Sequence, residues 1–338
     1  MKVDFYLPPG PIDSAVGLGR RAERLGYGGI FSTDTSHEPF LPLVVVAGET
    51  RRLDLGTAIA VAFARSPMTV ASAAWDLAAY SKGRLLLGLG TQVRGHITRR
   101  FSMPWDSPGP RLREFIAALR AIWDTWQNAA PLRFKGDFYQ FTLMTPFFNP
   151  GPIREGDIPI YIAGVGEYMC RLSGEVCQGF HIHPLHTVRY LDEVVLPGIR
   201  EGARVSARSI DDVERVATVF VITGRDEAEM RAAADGVKLQ IAFYASTPAY
   251  IGVLELHGWD FGPKLTAMSK RGEWAAMADV ISDDVVREIA VIAPIDELGS
   301  AIRERYGDRV QRIGYYPGGP LSLGDDEWAT LIEATKGP

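Results

Sequence analysis

Residues that could transfer protons cluster in two short segments of the chain. The first, STDTSHE, places His37 close to Asp34 and Glu38. Because histidine titrates near neutral pH, His37 is suited to catalytic proton transfer, and Asp34 is the second catalytic candidate. A lone histidine in a loop is more commonly a solvated or hydrogen-bonding residue, so both interpretations of His37 stay open.

The second segment, HIHPLH, contains His181, His183 and His186. Two histidines that stand two positions apart on a strand point to the same side, which is a spacing that metal sites use. A catalytic zinc ion would need a third protein ligand and usually a carboxylate partner, and neither an HExxH motif nor a nearby carboxylate pair is present. We therefore expect no metal and interpret His181, His183 and His186 as structural or pocket-lining.

A small-residue segment, AGVGE (Ala163–Glu167), passes from an apolar run directly into a predicted helix. Free N–H groups and the dipole at a helix start attract anions, so Gly164, Val165 and Gly166 are expected to bind a phosphate. Glu167 would repel that phosphate and is expected to point to solvent. A tight turn without a ligand is the alternative.

The segment GLGTQV is similar to a dinucleotide-binding fingerprint, but its third glycine is missing and it lies on the fourth predicted strand. A true fingerprint opens its own βαβ unit, so we do not expect NAD. Gly90 is expected to let the main chain approach a flat ring or a substrate closely. The absence of GxSxG and Walker motifs gives hydrolase and phosphotransferase functions no support.

Eight short apolar runs, nearly every one followed by an amphipathic stretch, must position these segments. The predicted strands are Lys2–Leu7, Gly29–Thr33, Leu53–Val61, Arg84–Leu89, Ile158–Ala163, Gly179–His183, Arg215–Thr223 and Arg312–Tyr316. Continuous apolar runs indicate parallel strands covered on both faces, and their alternation with helices predicts an α/β fold, a (β/α)₈ TIM barrel. The site of such a barrel lies at the carboxyl ends of the strands. A doubly wound open sheet is the competing architecture.

The chain is expected to form one domain over residues 1–338, with insertions at about 128–157 and 242–279. In the first insertion, RFKGDFYQF predicts a hairpin around Lys-Gly-Asp. Cys170 and Cys177, on one predicted helix, would lie about 10.5 Å apart along its axis, too far for a disulfide.

Composition limits the classes of partner. The net charge of −5 gives no support to nucleic-acid binding. No apolar run reaches the roughly 18 residues of a membrane span, and the segment MKVDFYLPPG is not expected to be a signal peptide. We therefore expect a cytoplasmic protein that acts on a small molecule, with no nucleic-acid or membrane partner.

Five segments, in this order and spacing, resemble the luciferase-like flavin and deazaflavin oxidoreductases, and among them the actinobacterial F420-dependent branch. The segments are LGTAIAVAFARSP (Leu55–Pro67), SKGRLLLGLGTQV (Ser81–Val93), RLREFIAALRAIW (Arg111–Trp123), RFKGDFYQF (Arg133–Phe141) and IPIYIAGVGEYMCRLSGEVCQGF (Ile158–Phe180).

The resemblance implies hydride transfer between the deazaflavin F420, bound in the barrel mouth, and a small organic substrate. It implies a bulge on strand three, with a cis peptide bond between Ala58 and Ile59 behind the ring, and places the phosphate of the cofactor at Gly164–Gly166. Gly90, Gln92 and His183 are the further expected cofactor contacts. It also suggests a homodimer. An FMN-dependent monooxygenase and a barrel that binds a phosphorylated ligand without redox chemistry are the alternatives.

Two positions depart from the family pattern. Asp34 matches the acid of an acid–histidine pair after strand two, but Thr35 takes the place of the histidine and His37 comes two positions later. Val93 stands where the sugar-phosphate dehydrogenases of the family carry a glutamate, which argues against glucose-6-phosphate as substrate.

Aromatic and basic residues complete the expected site. The substrate is expected to contact Phe63, Tyr244 and Tyr250, near the segments TRRFSMP (Thr98–Pro104) and AFYASTPAY (Ala242–Tyr250), although these aromatics could equally form the core of the insertion. F420 carries an acidic oligoglutamate tail, and Arg94, Arg99 and Arg100 are the candidate cations for it. The alternative is that these three are ordinary surface arginines.

Overall fold

The computed structural model describes residues 1–337. The β-strands are β1 (Lys2–Tyr6), β2 (Gly29–Ser32), β3 (Asp54–Thr57), β4 (Ala60–Val61), β5 (Leu85–Gly90), β6 (Phe134–Lys135), β7 (Gln140–Phe141), β8 (Ile160–Gly164), β9 (Gly179–Ile182), β10 (Glu214–Ile222), β11 (Val291–Ile292) and β12 (Arg312–Pro317). The α-helices are α1 (Ile12–Leu25), α2 (Phe40–Glu49), α3 (Pro67–Ser81), α4 (Arg94–Arg99), α5 (Pro108–Asn128), α6 (Glu167–Val176), α7 (Val188–Tyr190), α8 (Leu196–Val205), α9 (Glu227–Ala245), α10 (Ile251–Leu256), α11 (Gly262–Arg271), α12 (Trp274–Met277), α13 (Asp283–Ile289), α14 (Leu298–Tyr306) and α15 (Asp325–Lys336).

Eight parallel strands close into a barrel in the order β1, β2, β3, β5, β8, β9, β10, β12. The last strand pairs with the first, with Val3 opposite Ile313. Closure leaves no open edge among these eight strands, so the predicted (β/α)₈ barrel is confirmed and the open-sheet alternative is wrong. The central residues of the strands are apolar and buried because helices cover the outer face of the barrel.

The amino-terminal end of the barrel is closed by a buried ionic cluster around Arg312. Its guanidinium donates to both carboxylate oxygens of Asp4, at 2.7 and 2.8 Å, and to Asp54 at 2.6 Å. Glu214 lies 3.5 Å away on the neighbouring strand. A buried charge is tolerated only when it is paired, so this cluster ties four strands together beneath the site.

The third predicted strand is observed as two short strands, β3 and β4. Pairing with β5 ends at Gly56 opposite Leu86 and resumes at Ala60 opposite Leu89. Strand three therefore has one more residue than its partner over this stretch, which defines a β-bulge. The peptide bond between Ala58 and Ile59 within the bulge is cis, as predicted.

Two segments extend beyond the alternating strands and helices. The predicted hairpin is confirmed: β6 and β7 pair antiparallel, and the carboxylate of Glu114 accepts three main-chain N–H groups of its turn. Between β10 and α14 the chain forms α9 to α13 and β11. Helix α9 continues to Ala245, so the boundary expected at residue 242 falls inside a helix.

Candidate active site

The carboxyl ends of the barrel strands bring the predicted segments to one face of the molecule, called here the mouth. The loop after β2 carries Asp34 and His37, the bulge carries Ile59, and the turn after β8 carries Gly164–Gly166. Because the strands are parallel and closed into one barrel, segments far apart in sequence meet at this end.

Asp34 is part of an ionic network that the sequence did not reveal. Its buried carboxylate accepts the main-chain N–H of Val61 at 2.9 Å and a guanidinium N–H of Arg65 at 2.5 Å. Arg65 also pairs with Glu38 at 3.2 Å. The carboxylate thus fixes the loop after β2 to the chain that follows the bulge.

His37, the expected proton-transfer residue, is exposed on the same loop. It borders a narrow cleft between this loop and the segment after β1, which includes Pro8 and Pro11. Its ring makes no hydrogen bond within residues 1–337, so Asp34 and His37 lie on one loop without pairing. Thr35, which occupies the position of the family's histidine, is bound through its main-chain carbonyl by Arg100.

Gly90 makes room for a neighbouring side chain. A Cβ atom at position 90 would lie 2.7 Å from two side-chain carbons of Ile59. The bulge residue therefore packs against the Gly90 main chain. Gln92 adopts a left-handed conformation, with φ of 58°, and its side chain accepts the N–H of Val93 at 3.0 Å.

The turn after β8 has the features expected of a phosphate site. Gly166 precedes α6, and no side chain caps this helix, so its first N–H groups remain available. No atom lies within 4 Å of a Cβ built at Gly166, whereas a Cβ at Gly164 would lie 2.2 Å from that of Met169. Glu167 is exposed, as expected.

Tyr190, which sequence reasoning missed, supports this turn from α7. The side chain is buried, and its hydroxyl donates to the main-chain carbonyl of Val165 at 2.8 Å. Burial raises the pKa of Tyr190 to about 12, so the hydroxyl keeps its proton. Only the apolar context of a tyrosine just after the HIHPLH segment could have hinted at this role.

The predicted tyrosines of the insertion lie against His183 in the mouth. The ring of Tyr250 stacks on the imidazole at a centroid distance of 4.2 Å, and that of Tyr244 meets it edge-on at 4.7 Å. The hydroxyls of Tyr244 and Tyr316 are hydrogen-bonded at 3.0 Å. Tyr244 and Tyr250, expected to contact the substrate, and His183, expected to contact the cofactor, therefore form one aromatic cluster.

The other two histidines of HIHPLH are core residues. His186 is hydrogen-bonded to the carbonyl of His183 at 2.7 Å and to the hydroxyl of Tyr306 at 2.9 Å. His181 packs against Phe31 and Tyr161, and both of its ring nitrogens are buried without a partner. Burial lowers the pKa of His181 to about 3.

No set of three His, Cys, Asp or Glu side chains comes together as metal ligands within residues 1–337. Cys170 and Cys177 are both buried and unbridged. Burial raises the pKa of each thiol to about 12, which leaves both in the unreactive protonated form.

Phe63, expected to contact substrate, is fully buried. Its ring meets that of Trp105 edge-on at 5.9 Å, and the guanidinium of Arg111 lies over it at 4.6 Å. Arg111 in turn donates to the hydroxyl of Tyr139 and the carbonyl of Pro104. Phe63 is therefore part of the protein interior and does not line the expected substrate pocket.

The three arginines after β5 differ in their contacts. Arg94 and Arg99 are exposed on α4 and form no ion pair within residues 1–337. Arg100 is held by the carbonyl of Thr35 and lies 4.7 Å over the ring of Phe101. Arg94 and Arg99 remain available to an anion, whereas Arg100 is engaged.

A larger cleft, of about 610 Å³, lies at the opposite end of the barrel between α5 and α6. Arg120, Arg154 and Arg208 line it together with Asp124 and Glu175, so its charges are mixed. Active sites of such barrels lie at the carboxyl ends of the strands, so this cleft is not the candidate site.

Over residues 1–337, no helix has both the length and the apolar character needed to cross a membrane.

A family model described as luciferase-like monooxygenase matches residues 3–312. The chain belongs to the luciferase-like monooxygenase family. This confirms the resemblance inferred from the five sequence segments, and the family is one of oxidoreductases built on this barrel.

Individual family members resemble the chain over most of its length. An uncharacterized protein of Mycobacterium tuberculosis is 50% identical over 302 residues, covering 89% of this chain and 88% of that protein. The F420-dependent glucose-6-phosphate dehydrogenase of Intrasporangium calvum is 30% identical over 222 residues, covering 61% and 64%. The structure of the coenzyme F420-dependent tetrahydromethanopterin reductase from Methanopyrus kandleri superimposes with a TM-score of 0.79 and 21% identity, covering 98% and 96%.

Proposed function

We propose that this member of the family is an F420-dependent oxidoreductase that acts on a small organic substrate. When bound, the deazaflavin would accept or supply a hydride at C5. The observation that carries the proposal is the uncapped start of α6, where Gly166 faces open space at the mouth. A phosphate there would be bound by main-chain N–H groups and stabilised by the helix dipole.

The contribution of this chain is to hold and orient the ring. Gly164, Val165 and Gly166 would bind the phosphate, while Ile59 and the bulge would support the ring. His37 at the rim and Asp34 beneath it are the proposed source of a proton. Both F420 and FMN carry a phosphorylated ribityl tail, so the choice of F420 rests on the F420-dependent relatives.

Glucose-6-phosphate is not proposed as the substrate. Val93 stands where the sugar-phosphate dehydrogenases carry a glutamate, and its main-chain N–H is bound by the adjacent Gln92 side chain at 3.0 Å. The similarity to the dehydrogenase of Intrasporangium calvum therefore supports the cofactor and not the sugar phosphate.

Titration of the purified protein with F420 and, separately, with FMN tests the proposal. We expect F420 to bind and FMN not to bind, followed by F420 fluorescence and by flavin absorbance. Gly166→Asp should abolish binding because it places a carboxylate at the phosphate position, where there is space for the side chain. The matched control is Gly17→Asp, on an exposed part of α1 that also has open space.

The outcomes separate the alternatives. Tight binding of FMN without binding of F420 would replace the proposal by a flavin-dependent monooxygenase. Binding of neither ring would favour a barrel that binds another phosphorylated ligand. Equal loss of binding in Gly166→Asp and Gly17→Asp would show that the turn after β8 is not the phosphate site.

We also propose that the chain forms a homodimer through α2 and α3. Leu41 and Val44 of α2 are 51% and 41% exposed, and Tyr80 of α3 is 57% exposed. Leu41, Val44 and Gly48 lie on one face of α2, where a Cβ at Gly48 would lie 2.6 Å from the Tyr80 hydroxyl. Sedimentation velocity of the parent protein should show a dimer. Val44→Lys, which places a charge on the exposed face of α2, should convert the dimer to a monomer. A monomeric parent protein would contradict the proposed dimer.

A further inference from the structure

The imidazole of His183 is held in one tautomer and one orientation. Its Nδ1 atom accepts the main-chain N–H of Leu185 at 3.1 Å, so the proton of the neutral ring lies on Nε2. Tyr250 covers one face of the ring, and Tyr244 meets its edge. The ring is therefore fixed by three contacts that leave Nε2 unused.

The free Nε2–H group is directed towards the mouth. Successive side chains of a strand alternate, and His183 directly follows the last residue of β9, so we expect it on the same side as His181, which lies inside the barrel. His183 is one step further towards the carboxyl end of the strands. Its Nε2 atom makes no hydrogen bond within residues 1–337 and is not among the fully buried polar atoms, so it keeps some contact with solvent.

The surroundings of this donor are aromatic and uncharged. Burial lowers the pKa of His183 to about 3, with a smaller effect from His186 and none from a lysine, arginine or carboxylate. The titratable groups that face it from the insertion are Tyr244 and Tyr250, and burial raises the pKa of both. Near neutral pH, this wall of the mouth therefore offers hydrogen bonds without offering a charge.

We propose that His183 is a catalytic residue whose neutral Nε2–H donates to an uncharged oxygen of the substrate, so that the substrate is a ketone, an aldehyde or the corresponding alcohol. The hydroxyl of Tyr250, which makes no hydrogen bond within residues 1–337, is the second donor of this pair. A fixed donor is worth most where negative charge develops on oxygen. An ionised substrate group is disfavoured because, within residues 1–337, no lysine or arginine is among the groups that act on the His183 imidazole.

This inference rests on the proposed function, but it changes the part that His183 plays there. The family resemblance suggested a contact with the cofactor, whereas the structure stacks His183 on Tyr244 and Tyr250 of the insertion. A neutral donor also differs from the proton source assigned to His37, since His183 keeps its proton and His37 would give one up.

The tautomer can be measured without any substrate. In ¹⁵N-labelled protein, His183→Gln identifies the ring signals of His183 by their loss. We expect a neutral ring protonated at Nε2 from about pH 8 down to about pH 5, because the imidazole is buried. An Nδ1 proton, or conversion to imidazolium near pH 6, would overturn the proposal whether or not F420 binds.

The substrate class is tested by turnover with F420 and a panel of probes: cyclohexanone, cyclohexanol and cyclohexanecarboxylate. We expect turnover of the neutral probes only, and a shift of the His183 Nε2–H signal when they bind. His183→Ala should lower kcat/KM by about 10²–10³-fold, whereas His183→Gln, which retains an N–H donor, should lose less than about 10-fold. His96→Gln, on exposed α4, is the control for histidine replacement.

The outcomes are separable from those of the cofactor titration. Unchanged F420 affinity together with reduced kcat/KM in His183→Ala supports the proposal. A loss confined to F420 affinity would return His183 to the cofactor and overturn it. Turnover of the carboxylate alone would also overturn it. Failure of the parent protein to bind F420 would instead contradict the proposed function, and the tautomer measurement would still decide the state of His183.

Discussion

The hydroxyl of Tyr190 donates a 2.8 Å hydrogen bond to the main-chain carbonyl of Val165, the central residue of the proposed phosphate turn. Tyr190 is buried, so the bond is protected from water. A neutral hydrogen bond of this kind contributes about 0.5–1.5 kcal/mol. If it holds the turn in the binding conformation, Tyr190→Phe should weaken F420 binding by about 2- to 12-fold, measured by fluorescence titration.

The control for this prediction is Tyr315→Phe. It removes a comparable hydrogen bond, 2.7 Å long, to Thr335 of α15. Both variants should lose similar stability, but only Tyr190→Phe should lose F420 affinity, with kcat unchanged at saturating cofactor. Equal losses of affinity would show that the effect is general destabilisation and would contradict a positioning role for Tyr190.

The strands of the barrel could be predicted because they are covered on both faces and therefore read as continuous apolar runs. Strand β10 (Glu214–Ile222) shows this clearly, and all eight predicted strands begin within two residues of their observed positions. The turn at Gly164–Gly166 was predictable for a similar reason, since small residues between a strand and a helix have few other uses. The bulge at Ala58–Ile59 followed from the family resemblance and from no local propensity.

Contacts between distant segments could not be predicted from local patterns. Arg65 stands 31 positions after Asp34, and nothing in the spacing pairs them. The glycine at position 90 indicates that a side chain is not accommodated there, but only the fold reveals that Ile59 fills the space. Phe63 illustrates the converse error, because an aromatic residue at a strand end was interpreted as pocket wall although Trp105 and Arg111 bury it.

The pairing of Asp34 with Arg65 should stabilise the protein. Their side chains are 5% and 20% exposed, so the pair is shielded from solvent. Arg65→Ala leaves a buried carboxylate with one partner fewer, and should lower the free energy of unfolding by about 1–3 kcal/mol. Urea denaturation of this variant, with Arg20→Ala at the exposed Arg20–Glu49 pair as control, tests the prediction. Equal effects of the two substitutions would contradict it.

His37 is the proposed proton-transfer residue. His37→Ala should lower kcat by about 10²–10⁴-fold, the usual range for a general acid or base, while F420 affinity stays nearly unchanged. His96→Ala, another exposed histidine near the mouth, serves as control. Unchanged turnover in His37→Ala would return this residue to a solvated loop position, and Asp34 would become the next variant to test.

Arg94 and Arg99 should bind the acidic tail of F420. Because both are exposed, their attraction for the tail is screened by salt over about 10 Å at 0.1 M ionic strength. We expect Arg94→Glu/Arg99→Glu to weaken F420 binding at low salt and to match the parent protein at high salt. The same double variant should bind F420 lacking its glutamates with unchanged affinity. A loss that is independent of salt and of the tail would contradict this role.

The buried His181 and His186, together with the half-buried His183, should make the fold sensitive to acid. Burial lowers the pKa of His181 and His183 to about 3 and that of His186 to about 4, from 6.5 in the unfolded chain. The native state therefore keeps these rings neutral, whereas the unfolded state takes up protons as the pH falls below 6.5. Stability is fully present above that pH and is lost as the pH falls towards the folded pKa values.

Each histidine should contribute about 1.4 kcal/mol per pH unit to this loss well below pH 6.5, so the three together give a slope of about 4 kcal/mol per pH unit. Urea denaturation between about pH 6.5 and pH 5 isolates the effect, because most carboxylates titrate at lower pH. His181→Leu should reduce the slope by about one third, since it removes one of the three groups without introducing a polar atom between Phe31 and Tyr161. A flat profile over this range would mean that the folded protein accepts these protons, and hence that the three rings are not held neutral in its interior.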